Sequence, residues 1–471
     1  MRIESLRVRN YRVFRDVEIK NLGPLAVFVG ANGSGKSTLF DVFGFLRDAL
    51  QDNVHVALVK RGGFKEVQTR GQSGPIEVTL KFREGPGAPL VTYELAIGFE
   101  GGRALVEDEV LSRERRGPGA PHKIIQFRRG SGFGSPSGKV NEQENQTLQS
   151  PDILAIKGLG QFQRFATVSA FRNLIEHWHL SDLHVQAARP SQEQGYAEHL
   201  TPQGENLALV AQYLHERHPA QFAAIVERMK RRVPGVTDVE ATETVDNRLV
   251  LRFQDGAFRD PFIARYVSDG TLKMFAYLVL LHDPRPHPLL CVEEPENQLY
   301  PTLLHELIEE FREYGERGSQ VLISTHSPDL LNGARLAEIY WLEKRDGFTT
   351  IHPAGEDELL KNLEGEGDLP GALWKQGLFG RASPSAAAPP PKAAPKAAPV
   401  PAKPSAKVAS AKPTPSAKAK AAPAPPPPKA APKATPVPAK PSAKVPSATP
   451  TPKAHPKAAP TPSKPSPKAR P

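Results

Sequence analysis

Cysteine is almost missing from this chain: Cys291, inside the apolar run "PLLCVEE", is the only one in 471 residues. A disulfide framework within one chain is therefore excluded, and a reducing cytoplasm is the compartment that fits. No uninterrupted apolar run reaches the roughly 18 residues that a membrane-spanning helix needs, so no span is expected. The opening "MRIESLRVRN" lacks the apolar core of a secretory signal. Acidic and aromatic residues are both absent from 382–471, a segment with 16 Lys and Arg and 28 of the 49 prolines. Such a Pro/Ala/Lys texture cannot bury apolar surface and is expected to be disordered and partly polyproline II. It also repeats: "PKAAPKAAPVPAKPSAKV" at 391–408 returns at 428–445 with one substitution. Residues 1–381 then hold 45 Lys and Arg against 51 Asp and Glu. The net charge of +10 thus divides into an acidic body and a strongly basic tail.

What the body does contain is clearest at "VFVGANGSGKSTLF", residues 27–40. An apolar strand runs into Gly30-x4-Gly35-Lys36-Ser37, and a helical pattern follows, with Leu39, Val42, Phe43, Leu46 and Leu50 on one face. Glycines let backbone N–H groups turn toward one point and let phosphate oxygens approach. The helix start adds free N–H groups and a partial positive charge. Gly30, Ala31, Asn32, Gly33, Ser34, Gly35, Lys36, Ser37 and Thr38 are therefore read as a nucleotide cradle. In such a cradle Lys36 reaches the β- and γ-phosphates and the Ser37 hydroxyl holds Mg²⁺.

Alternation over 1–22 suggests two short strands around "NYRVF", and 75–112 reads as three strands. Residues 115–150, rich in Gly, Ser, Pro, Asn and Gln, read as a surface loop, and 152–232 as mostly helical. "GVTDVEATETVDNRLVLRFQDG" reads as a hairpin turning at Asp246-Asn247. Beyond it, helix "SDGTLKMFAYLVLLHD", strand "LLCVEE", helix "TLLHELIEEFREYGERG", strand "QVLIST" and strand "LAEIYWLEK" alternate. That order is α/β with a parallel core sheet, and the middle, about 113–260, is an insertion.

Three further segments carry chemistry. "LLCVEEPENQLYP" is an apolar strand ending in Glu293 and Glu294. The first carboxylate is placed to hold Mg²⁺, the second to orient or deprotonate an attacking water. "VLISTHSPD" ends a second strand at His326, a hydrogen-bond partner for the γ-phosphate or the water. "YVSDGTLK" sets Ser268, Asp269 and Gly270 at a helix start, a second anion site. One molecule does not need two γ-phosphate sites, whereas two molecules facing each other do.

The order GANGSGKST, VSDGT, CVEEPENQLYP, ISTHS resembles the ABC-type ATPase heads of the RecF, structural-maintenance-of-chromosomes and overcoming-lysogenization-defect groups. "IESLRVRNYRVFRDVEI", "GENLALVAQYL" and "DLPGALWKQGLFG" add to the likeness, which covers roughly 1–380. The resemblance implies a P-loop NTPase of ABC-ATPase type over 1–381, with a parallel core sheet, an antiparallel β subdomain and a helical insertion, followed by the disordered basic tail. It implies a Walker A loop at Gly30 to Thr38, a signature motif at Ser268-Asp269-Gly270 and a D-loop at Pro295 to Leu299. By the same likeness Glu293 is the metal carboxylate, Glu294 the catalytic one and His326 the switch histidine. Gln68 in "KEVQTRG" is the candidate Q-loop ligand of the metal, and Arg12 approaches the nucleotide. Glu293 stands where the family more often has Asp. The stretch 327–381 is too short for the nuclease domain of some relatives, and no long heptad run predicts a coiled-coil arm.

The implied activity is ATP hydrolysis with ATP and Mg²⁺ by a homodimer that closes on two nucleotides. The basic tail suggests nucleic acid as a partner, bound by counterion release. The alternatives are a sensor ATPase working with a separate effector protein in defence or signalling, and a soluble transporter ATPase subunit.

Overall fold

A computed structural model describes residues 1–115, 119–136 and 142–380; the Pro/Ala/Lys segment 382–471 lies outside the described residues. Its centre is a six-stranded sheet in the order His179–Ser181, Leu290–Glu293, Val321–Thr325, Leu25–Val29, Ile339–Arg345, Phe348–Pro353. The first five strands run parallel, and the last closes an antiparallel hairpin.

The central strands are buried on both faces, which is why they read as continuous apolar runs rather than alternating ones. Ala26 and Phe28 enter one hydrophobic core, while Leu25, Val27 and Val29 enter the other. Cys291 and Leu322 join the first; Leu290, Val292, Val321 and Ile323 join the second. The period of two along each strand thus builds two cores from one sheet. The helix Lys36–Gln51 fills the first core with Leu39, Val42, Phe43, Leu46 and Leu50. The helix Asp269–Leu281 lies in the second, buried continuously from Leu272 to Leu281.

An eight-stranded antiparallel sheet covers the first core. It begins with Arg2–Tyr11 and Phe14–Ile19, continues through Ile76–Arg83, Leu90–Glu100 and Arg103–Arg113, and ends with His122–Arg128, Ser131–Gly134 and Glu144–Thr147. The last three strands correct the reading of 115–150 as a surface loop. Their polar, glycine-rich composition hides strands held by backbone pairing, two of them between two neighbours and Glu144–Thr147 at the sheet edge. The helices Leu207–Arg217 and Pro219–Arg232 and the hairpin Val236–Glu243/Arg248–Asp255 follow the sequence reading. Asn247 takes the positive φ of 55° that its turn demands. The strand His179–Ser181 is an addition within the stretch read as helical. Among the described residues no helix is long and apolar enough to cross a membrane.

Glu109 is fully buried in the antiparallel sheet. It accepts hydrogen bonds from the N–H groups of Ala155 (2.5 Å) and Ile156 (3.0 Å), at the start of the helix Ala155–Leu159, and from the Tyr93 hydroxyl (3.1 Å). Burial pushes its carboxyl up to about 7 from 4.5, against the pull of those donors. The folded chain therefore holds this proton to higher pH than the unfolded chain does. The group's contribution to stability is full below about 4.5 and is lost as pH rises to about 7. The loss is on the order of 3 kcal/mol. Denaturant titrations across this window should show a falling component in the wild type that Glu109→Gln lacks. The variant should also be less stable at low pH, because its amide NH₂ meets a backbone N–H. An unchanged pH slope would refute the assignment.

Candidate nucleotide site

Register in the parallel sheet decides which side chains meet. Glu293 pairs with Ser324, and Ser324 and Thr325 pair with Phe28 and Val29. Three strands therefore end level, and the loops that leave them carry Gly30–Gly35, Glu294 and His326. Ligands of open α/β sheets collect at such carboxyl ends.

The 30–35 loop has the backbone its glycines predict. Gly35 caps the helix with φ 104°, a left-handed conformation unfavourable for any residue with a Cβ. A Cβ on Gly30 would lie 2.4 Å from Ser34 Oγ and 3.0 Å from the Leu342 carbonyl, so the loop cannot open around a larger residue. The first intrahelical bond runs from Leu39 N–H to the Gly35 carbonyl. The N–H groups of Lys36, Ser37 and Thr38 precede it and have no intrahelical acceptor. Free N–H groups at a helix start are suited to an anion. A cleft of about 420 Å³ lies here, bounded by Asn32, Gly33, Gly35, Lys36, Ser37, Thr38 and Glu294 together with Val13 and Lys344.

Lys36 is buried, its ammonium donating to the carbonyls of Gly30 (2.6 Å) and Ala31 (3.3 Å). Burial lowers its pKa, and the carboxylates of Glu294, Glu296 and Glu293 oppose that shift. The Ser37 hydroxyl donates to Glu293 Oε2 at 2.7 Å. Glu293, one methylene longer than Asp, reaches that hydroxyl from its strand end. Burial raises the Glu293 pKa; the Ser37 hydrogen bond opposes this, and Asp182, Glu294 and Asp41 add to it. A divalent cation between Ser37 and Glu293 would remove that penalty.

Glu294 sits at φ 41°, a strained left-handed position that turns its carboxylate out of the strand. Its Oε2 accepts from Asn297 Nδ2 (3.1 Å), and its Oε1 lies 3.2 Å from His326 Nδ1. Burial alone would raise its pKa, but the Asn297 bond, His326 and Lys36 together bring it below the ordinary range. Glu294 is thus held ionised and oriented at once.

Ser268 caps the helix Asp269–Leu281, its hydroxyl accepting from Thr271 N–H at 3.2 Å. Asp269 pairs with Arg189, and Gln298 Nε2 donates to its other oxygen at 3.4 Å. A Cβ on Gly270 would come 2.9 Å from the Gln298 carbonyl, so this tip packs closely on the 295–299 loop of its own chain. Ser268, Asp269 and Gly270 do not line the cleft around Lys36. Gln68 is also apart: its amide donates to the Gly74 carbonyl at 2.8 Å. Arg12 binds Asp41 at 2.9 Å, beside the helix that follows the loop.

One cleft-lining group escaped sequence reasoning. Lys344 arrives from the hairpin strand, and no local pattern announces it. Glu296, a third carboxylate in "EEPE", lies in the 295–299 stretch that the resemblance reads as the D-loop, but the sequence assigns it no role of its own. It is buried and accepts from Thr325 Oγ1 (2.6 Å) and His326 N–H (3.2 Å), which fixes the backbone that presents the histidine.

A protein-family model described as "AAA domain, putative AbiEii toxin, Type IV TA system" matches residues 25–332. No curated protein matches the sequence. Solved structures similar to the chain include an SMC head bound to the C-terminal winged-helix domain of ScpA (14% identity, TM-score 0.49, 75% of this chain and 98% of that one). The SMC head domain from Thermotoga maritima is similar at 14% identity and TM-score 0.40, over 75% and 99%. An SMC head with an extended coiled coil, bound to the ScpA C-terminal domain derived from Pyrococcus furiosus, is similar at 13% identity and TM-score 0.44, over 78% and 99%. Likeness at this distance carries nothing about activity or partners.

Proposed function

The chain belongs to this AAA-domain ATPase family, and from that premise we propose that it is an ATP-hydrolysing switch whose two copies close on two nucleotides. The observation that carries the reading is the meeting of Lys36, Ser37, Glu293, Glu294 and His326 at one end of the parallel sheet while the Ser268 tip stays outside that cleft. In this reading the loop from Gly30 to Thr38 holds the phosphates and Lys36 moves from loop carbonyls to the β- and γ-oxygens. Ser37 and Glu293 would hold Mg²⁺, which would supply neutralisation of the phosphate charge, and Gln68 would join them only by leaving the Gly74 carbonyl. Glu294, kept ionised by Asn297 and His326, accepts a hydrogen bond from the attacking water and aligns it. His326 contacts the γ-phosphate or that water.

Ser268 and Gly270 are then supplied to the nucleotide of the facing copy. Exposure around the tip supports this: Tyr266 is 72% exposed and Tyr300, just past the 295–299 loop, 69%. Large aromatics left in water beside a polar cap are suited to an interface. Loss of the γ-phosphate weakens the clamp, and the resulting opening acts on a partner.

The tail at 382–471 favours a polyanion as that partner, since its 16 cations face no acid. ATP turnover and DNA affinity of the full chain and of 1–381, measured across a salt series, test this. The full chain should bind duplex DNA with a steep salt dependence that the truncation lacks, and equal affinity would discard the tail's role. The family description names a toxin–antitoxin system, which favours a second reading, a sensor ATPase paired with a separate effector. Turnover stimulated by a co-expressed neighbour protein and indifferent to DNA and RNA would select that reading.

A further inference from the structure

A second cluster of chemistry lies at the opposite end of the strand Leu290–Glu293. Asp283 and His287 belong to the turn that joins the helix Asp269–Leu281 to that strand. His199 reaches the same point from the segment ahead of the helix Leu207–Arg217. One ligand atom from each of His199, Asp283 and His287 lies within 4.8 Å of the other two. We propose that these three side chains form a binding site for a zinc-class divalent cation.

The donor set is right for that class. Two imidazoles and one carboxylate suit zinc and its neighbours, whereas magnesium and calcium take oxygen ligands. Zinc–nitrogen and zinc–oxygen bonds of about 2.0–2.2 Å place tetrahedral ligand atoms somewhat over 3 Å apart, a spacing that falls inside the 4.8 Å within which these atoms lie.

The contacts of His287 are those a metal ligand needs, and the Asp283–His199 hydrogen bond is the one that a cation would replace. His287 Nδ1 lies 3.2 Å from the His177 carbonyl, an acceptor, so Nδ1 carries the proton and Nε2 the lone pair. That Nε2 is buried and has no hydrogen-bond partner among the described residues. A buried nitrogen lone pair left unpaired is costly in an apoprotein and is satisfied by a cation. The Asp283 side chain is only 5% exposed; one oxygen lies 2.6 Å from His199 Nδ1, and the other accepts from Arg285 N–H at 2.8 Å. The imidazole of His179 stacks on His287 with ring centroids 4.5 Å apart and fixes its plane. A cavity of about 450 Å³ opens on His199 and His287, giving a cation an entry path and room for a water as fourth ligand.

The site's position gives it a consequence. A cation here would tie the turn between the helix capped by Ser268 and the strand that ends in Glu293 to the segment that carries His199. It would brace the two elements that must keep their spacing while nucleotide is bound at their other ends.

Untagged full-length protein titrated with Co²⁺ in excess Mg²⁺ tests the proposal. The expected result is one equivalent bound, with the intense visible bands of tetrahedral nitrogen and oxygen ligation, displaced by Zn²⁺. His287→Gln and Asp283→Asn should each lower Zn²⁺ affinity by about 100-fold or more. His184→Gln, which removes an imidazole outside the triad, should leave it unchanged. Two variants guard against a misfolded one, with circular dichroism as the check on each. Absence of the bands in wild-type protein overturns the proposal, as does Zn²⁺ affinity that survives both triad substitutions.

Discussion

Replacing Glu294 with Gln is expected to lower ATP turnover by roughly 10²–10⁴-fold while leaving ATP binding almost intact. The amide keeps the size of the carboxylate and can still accept from Asn297 through its oxygen. It loses the charge that aligns the water and that His326 and Lys36 help to stabilise. Phosphate release under single-turnover conditions isolates the chemical step from nucleotide binding. Because the γ-phosphate then persists, the variant should accumulate as a dimer in ATP and Mg²⁺, visible by light scattering. Wild-type turnover in Glu294→Gln would remove this residue from the chemistry.

Lys36→Ala should act earlier. The ammonium is buried in the loop and sits among three carboxylates, so its charge holds the local balance as well as the phosphates. Truncating one partner of a buried charge contact costs about 2–5 kcal/mol, which is about thirtyfold to several thousandfold in affinity. Equilibrium dialysis with ATP should show that loss directly. The Ser37–Glu293 hydrogen bond does not involve the lysine and should persist, so a folded variant with weak ATP binding is the expected outcome. Unchanged ATP affinity would disqualify the loop.

What was legible in the sequence was local or periodic. The Gly30–Ser37 loop could be read because phosphate geometry demands small residues at fixed offsets. The strands Leu25–Val29, Leu290–Glu293 and Val321–Thr325 could be read because two buried faces make them apolar runs, with polar residues only at the carboxyl ends of the last two. The pairing of Glu293 and Glu294 with Ser37 and His326 followed from strand order. Other features depend on tertiary pairing that no window of sequence contains. "HLS" at 179–181 is too short to show a period, yet it extends the parallel sheet. Glu296 gains its place through the left-handed turn at Glu294, which swings it under His326. Gln68 had the right residue type in a plausible loop, but its amide is engaged by Gly74. His199, Asp283 and His287 come from separate segments with no shared motif, and only the fold brings them within ligand distance.

The claim that the triphosphate is completed by the facing copy is tested most directly by mixing two inactive variants, Lys36→Ala and Ser268→Arg. Each homodimer carries a defect in both sites, so each alone should hydrolyse ATP negligibly. A mixed dimer pairs one doubly damaged site with one intact site, because the intact loop and the intact helix tip come from different chains. An equal mixture should therefore recover up to about a quarter of wild-type turnover, half of the dimers being mixed and each holding one working site. A mixture no more active than its components, or Ser268→Arg alone at wild-type rate, would contradict the account.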